Sequence, residues 1–200
     1  MPSRRQFLAC ALFSSFSLPA CKGNTSSALS NQPLPILGTV PEFSFTNQGN
    51  EAFGSAQLRG LPYLAAFMFT RCPSICPRLT TTMKDVDEAM LDAQFKLQLV
   101  SISVDPEHDN PQRLSEYANK YQADPKRWNF LTGDFQVIAR TAEDGFKVGV
   151  SGTIDQQKPH LGITHASHLI LVDKNANIRG YFRTSDVDVT DQLLSAVKRL

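Results

Sequence analysis

Residues 64–69, "LAAFMF", are six apolar side chains in a row, and no other stretch constrains the fold as much. A strand with one wet face alternates apolar and polar residues, so an unbroken run needs cover on both faces. The run is far short of the roughly 18 apolar residues of a membrane-spanning helix. "LQLVSISV" at 97–104 reads as the next buried strand and closes on Asp105-Pro106. Strands of this type lie in the middle of a sheet with helices on both sides.

The helices are written between them. In "RLTTTMKDVDEAML" the residues Leu79, Met83, Val86 and Met90 recur at spacings of four, three and four, the apolar stripe of a helix. Asn110-Pro111 starts a second helix, "PQRLSEYANKY", with proline at a favoured first position. "DFQVIARTAE" and the closing "VTDQLLSAVKRL" read as two more. "EFSFTN", "FLTG" and "SHLILVD" read as strands, and "ANIRGYF" as the hairpin partner of the last across Lys174-Asn175. The expected fold class is α/β, a central and mostly parallel sheet with an antiparallel edge hairpin and flanking helices.

Before this domain comes a segment of another kind. "MPSRRQFLACALFSSFSLPAC" has a basic start at Arg4 and Arg5, an apolar middle, and small residues ahead of Cys21. Ser3 to Leu8 resembles a bacterial twin-arginine export signal, and Leu18 to Cys21 resembles a lipobox in which Cys21 is acylated. The alternative is an ordinary cleaved signal with a stray cysteine. Residues 1–20 therefore read as a signal peptide, 21–35 as a flexible tether, and 36–200 as the folded domain. The expected location is the periplasmic side of a bacterial cell envelope, with a lipid anchor holding the chain to the membrane. A formal net charge of +1 over the whole chain provides no basic face for nucleic acid.

Removing residues 1–20 takes Cys10 away, and lipid on Cys21 would leave Cys72 and Cys76 as the free thiols. They stand in "TRCPSICP", immediately after the first apolar strand, where open α/β sheets place their sites. Pro77 fits a first helical turn, which puts Cys76 at a helix N-terminus, where the helix dipole favours thiolate. Arg71 adds a positive neighbour. The pair can be a structural disulfide, a redox pair or part of a metal site. Redox pairs usually have two intervening residues, whereas here three separate the cysteines. Two thiolates suit Cu(I), and an added imidazole makes a site that also holds Cu(II). His108 and His160 lie in loops; His165 and His168 flank the "LILVD" strand, and their spacing of three turns them to opposite faces.

Together, "FMFTRCPSICP", "SISVDPEHDNPQRLSEYANKY", "WNFLTG" and "THASHLILVDKNANIRGYF" resemble the Sco/SenC family over residues 36–200. The resemblance implies a thioredoxin-like fold and a copper-binding role in assembly of the dicopper (CuA) centre of cytochrome c oxidase. It implies Cys72, Cys76 and His165 as copper ligands, and Asp105 as a group that fixes the loop or supports the ligands. The turn Asp173-Lys174-Asn175-Ala176 departs from the family in lacking a glycine. The expected function is that of an extracytoplasmic metallochaperone, carrying Cu(I) or Cu(II) to the copper-acceptor subunit of a terminal oxidase. A thiol reductant and another copper chaperone are further expected partners. The alternative is a thiol–disulfide oxidoreductase, with Cys72 and Cys76 as its catalytic pair, reducing the cysteines of a copper acceptor. A peroxidase lacks its approach sequence in "MFTRCP".

Overall fold

The apolar run becomes the centre of an eight-stranded sheet. The computed structural model describes residues 32–149 and 167–200, and Pro33–Leu200 forms one compact unit. The elements run β1 (Gly38–Thr39), β2 (Ser44–Asn47), β3 (Ala52–Gly54), α1 (Ser55–Leu58), β4 (Tyr63–Met68), α2 (Ile75–Asp92), β5 (Gln98–Ser103) and α3 (Pro111–Lys120). Then follow β6 (Trp128–Thr132), α4 (Phe135–Arg140) with a π-helical turn at Thr141–Gly145, β7 (His168–Val172), β8 (Asn177–Arg183) and α5 (Val189–Val197). The sheet order is β1-β8-β7-β4-β5-β6-β2-β3.

Parallel pairing is confined to β4–β5 and β5–β6, at the middle of the sheet. Antiparallel strands extend it on both sides: β7, β8 and β1 beyond β4, and β2 and β3 beyond β6. The α/β reading holds, but the parallel part is smaller than expected, and the β7–β8 hairpin is not the outermost element because β1 pairs with it. Strands β1 and β3 are too short to carry a period-2 signal.

Every residue of β4 is buried, as a doubly covered strand requires. The register assigns its faces. Ala66 pairs with Ser101, whose hydroxyl donates to Met83 Sδ of α2 at 3.6 Å. Leu64, Ala66 and Met68 therefore face α2. Phe130 pairs with Ser101 and meets Tyr117 of α3 edge-on at 5.9 Å, so α3 covers this face too. On the opposite face Phe67 meets Phe146 edge-on at 5.3 Å, and Phe146 meets Phe43 at 5.9 Å.

Caps fix where the helices begin and end. The Asn110 side chain accepts the Arg113 N–H at 3.0 Å, and Pro111 takes the first helical position. Helices α2 and α3 end in the same way, with Gln94 and Gln122 in the left-handed region where glycine is usual. Phe95 N–H reaches back to Met90 O and Ala123 N–H to Ala118 O, which closes both ends. The hairpin turn forms without glycine: Ala176 adopts φ 61°, and Asp173 Oδ1 accepts the N–H groups of Asn175 and Asn177, each at 2.9 Å.

Candidate metal centre

Strand β4 ends at Met68, Cys72 follows four residues later, and α2 begins three residues after that. The Cys72 N–H donates to Phe69 O at 3.3 Å. Helix α2 begins at Ile75, so Cys76 is its second residue and Pro77 its third, within the turn that tolerates a missing N–H. Cys72 is 5% exposed and Cys76 fully buried, and both are free thiols. Ser74, the residue before the helix, makes no capping bond with its side chain; its hydroxyl lies 3.8 Å from Cys72 Sγ.

The dipole favours thiolate at Cys76, but the immediate surroundings of the sulfur work the other way. A hydrogen bond with the Cys72 thiol pushes the Cys76 thiol far above its usual range, and burial pushes the same way. A backbone hydrogen bond at Phe69 opposes the shift, and the negative charge of Asp109 adds to it. These local effects outweigh a dipole contribution that is modest at best. A metal bound by this pair must therefore displace protons as it binds.

Arg71 is also committed elsewhere. Its Nε donates to Asp105 Oδ2 at 2.5 Å, and Asp105 is fully buried. This ion pair ties the cysteine loop to the end of β5. Burial raises the Asp105 carboxyl above its ordinary value, and the hydrogen bond from Arg71 offsets part of the rise. Asp105 Oδ1 is buried and makes no hydrogen bond to the described residues.

Asp109 joins the same two loops and was not singled out by the sequence. It is fully buried and accepts from Thr70 N at 2.9 Å, Thr70 Oγ1 at 2.5 Å and Ser103 Oγ at 2.6 Å. The only local signal was a second aspartate in "DPEHD", four residues after the first. On the helix side, Thr80 Oγ1 donates to Cys76 O at 2.8 Å and lies 3.0 Å from Tyr117 OH.

The histidines separate. His108 is exposed on the turn after Asp105. His168 begins β7 and meets Tyr181 edge-on at 6.5 Å. It shares its strand face with Ile170, which pairs with Ala65 on the face away from α2. His168 therefore lies on the face of the sheet away from α2. His160 and His165 lie outside the described residues, as does Cys21. Among the described residues no three His, Cys, Asp or Glu side chains gather as a metal site, and no helix is long and apolar enough to cross a membrane. The structure brings together Cys72 and Cys76, with Asp105 behind them through Arg71.

Comparison with known proteins gives this arrangement a context. Residues 35–200 match the family model described as SCO1/SenC. A SCO1 protein homolog of Bacillus subtilis is 30% identical over 165 residues, covering 82% of this chain and 83% of the relative. Among solved structures, a SCO1/SenC family lipoprotein from Bacillus anthracis superposes with a TM-score of 0.75 at 29% identity, over 82% of this chain and 95% of that one. BsSco, a member of the Sco family of cytochrome c oxidase assembly proteins with an identified disulfide switch, has a TM-score of 0.74 at 29% identity, over 84% and 97%. Bradyrhizobium japonicum ScoI, solved with copper bound, has a TM-score of 0.66 at 26% identity, over 80% and 98%. The thioredoxin-like fold expected from the sequence is the fold of these proteins.

Proposed function

This chain belongs to the SCO1/SenC family, and on that premise we propose that it is an extracytoplasmic copper metallochaperone. In this reading it receives copper and delivers it to the copper-acceptor subunit of a terminal oxidase. The observation that carries the proposal is the pair of free thiols, Cys72 and Cys76, held together at the C-terminal end of a rigid central strand. Two sulfurs form a soft donor set that fits Cu(I) and excludes hard cations. His165 is the third donor, three residues before β7, a strand whose first residue lies at the cysteine end of β4. Its imidazole lets the same site hold Cu(II). Copper is cargo here, so the site must release it as well as bind it.

The copper-bound ScoI relative supports the choice of metal, and the Bacillus anthracis lipoprotein supports lipid at Cys21 with a tether to the membrane. Arg71, through Asp105, holds the backbone just before Cys72 and so supports the ligand from behind.

A second reading rests on the same two thiols, one in the loop and one in the first turn of α2. Oxidised to a disulfide and reduced again, the pair acts as a thiol–disulfide oxidoreductase that reduces the cysteines of a copper acceptor. One experiment separates the two. The copper-loaded chain is mixed with a copper-free oxidase domain whose cysteines are already reduced, and the absorption of the dicopper centre is followed. The chaperone reading requires that centre to form. Failure to transfer, together with reduction of an oxidised acceptor by the metal-free chain, would replace it with the reductase.

A further inference from the structure

The geometry points to Asp109 as a positioning residue for the metal site: its carboxylate holds the Thr70–Cys72 segment in place and so sets how the Cys72 sulfur stands to Cys76. The inference rests on the copper-binding reading and deepens it.

Asp109 is fully buried, yet its three side-chain hydrogen bonds come from neutral donors. Burying a carboxylate without a basic partner is costly, and short bonds from several donors are what make it tolerable. Two of the three donors belong to Thr70, two residues before Cys72. The third is Ser103, at the end of β5. Asp109 is itself held from behind. Its N–H donates to Asp105 O at 2.9 Å, and the next residue, Asn110, caps α3. The carboxylate thus links the sheet, the start of α3 and the cysteine loop through one rigid group.

The bonds of the Asp109 side chain go to Thr70 and Ser103, groups that set the path of the chain into Cys72, so what it contributes to binding is position. Asparagine has nearly the same shape: its Oδ1 accepts the Thr70 N–H, and its Nδ2 donates to a hydroxyl that turns to accept. Asp109→Asn removes the charge and keeps the link, while Asp109→Ala removes both.

The test uses the full chain, reduced and anaerobic, with Cu(I) affinity measured by competition with a chromophoric chelator. The thiol–disulfide equilibrium against glutathione is measured on the same proteins. Asp109→Ala is expected to weaken Cu(I) binding about 10–100-fold, the usual loss for a residue that orients a ligand, and to shift the disulfide equilibrium. Asp109→Asn restores most of the affinity. An alanine variant that binds like the parent, or an asparagine variant as weak as the alanine one, overturns the assignment. Should Asp109→Ala not fold, Thr70→Val deletes one donor and keeps the N–H; a smaller loss in the same direction supports the assignment, and no loss overturns it. If the parent takes up no copper, the copper reading fails. The disulfide equilibrium of the variants then decides the positioning role by itself: a shift relative to the parent upholds it, and none refutes it.

Discussion

Cys72 and Cys76 differ in what they can reach. Cys72 is slightly exposed in a loop, and Cys76 is sealed at the base of α2, so an incoming ion or partner meets Cys72 first. In the proposed copper site His165 has a different task from either: an imidazole is needed for Cu(II) but not to close a disulfide. His165→Ala is therefore expected to weaken Cu(II) binding strongly and to leave disulfide formation intact. Electron paramagnetic resonance of the titrated variant reads the first, and thiol counting after oxidation reads the second. A variant that binds Cu(II) like its parent would rule out the three-ligand site. His168, over Tyr181 on the other face of the sheet, is expected to be replaceable by phenylalanine with little change in copper binding.

Among the elements, the β7–β8 hairpin shows how a turn forms without its usual glycine. Asp173 accepts from Asn175, Asn177 and, at 2.7 Å, from Arg179, whose other nitrogens bond the carbonyls of Leu34 and Pro35. Burial alone would raise the Asp173 carboxyl, but the bonds from Arg179, Asn177 and Asn175 more than offset it and leave it below its ordinary value. A carboxylate with a lowered folded-state pKa stabilises the fold above its unfolded value of about 3.9 and loses that contribution as pH falls through the folded value. Asp173→Asn should therefore lose stability at pH 7 and close much of the gap to the parent as pH falls through the folded value, as read by urea titrations at several pH values. Ala176 holds φ 61° in the same turn, so Ala176→Gly should stabilise by up to about 1 kcal/mol; a lower midpoint would contradict this account of the turn.

Local pattern exposed these elements unevenly. β4 was legible because burial on both faces writes an unbroken apolar run, and α3 because Asn110-Pro111 is both cap and first turn. The ends of α2 and α3 were not, since Gln94 and Gln122 stand where glycine would have marked them. At the site, the cysteine pair was visible in its spacing, and Asp105 only through family resemblance. Asp109 escaped because its partners, Thr70 and Ser103, come from two other strand ends that only the fold brings together. The upward push on the Cys76 thiol escaped for a related reason: it comes from the Cys72 thiol across the loop and from burial, which helix position alone does not reveal.

For the whole molecule, metal binding and stability are linked. The cysteine loop leaves the most buried strand of the sheet and is tied to β5 by Arg71–Asp105 and Asp109. A ligand that binds the folded chain alone adds about 4 kcal/mol at a thousand times its dissociation constant. For a domain of this size that corresponds to a rise of roughly 8–16 °C in Tm. Thermal unfolding of the reduced chain with and without Cu(I) should show this rise, and Cys72→Ser with Cys76→Ser should abolish it. A rise that survives in the double variant would locate the metal elsewhere.

The most direct test of copper carriage at Cys72 and Cys76 is anaerobic titration of the reduced chain with Cu(I), with bound copper and free thiols counted at each step. One copper per chain, taken up as both thiols become protected, is the predicted result. Copper uptake that leaves both thiols reactive, or no stoichiometric uptake at all, would contradict it.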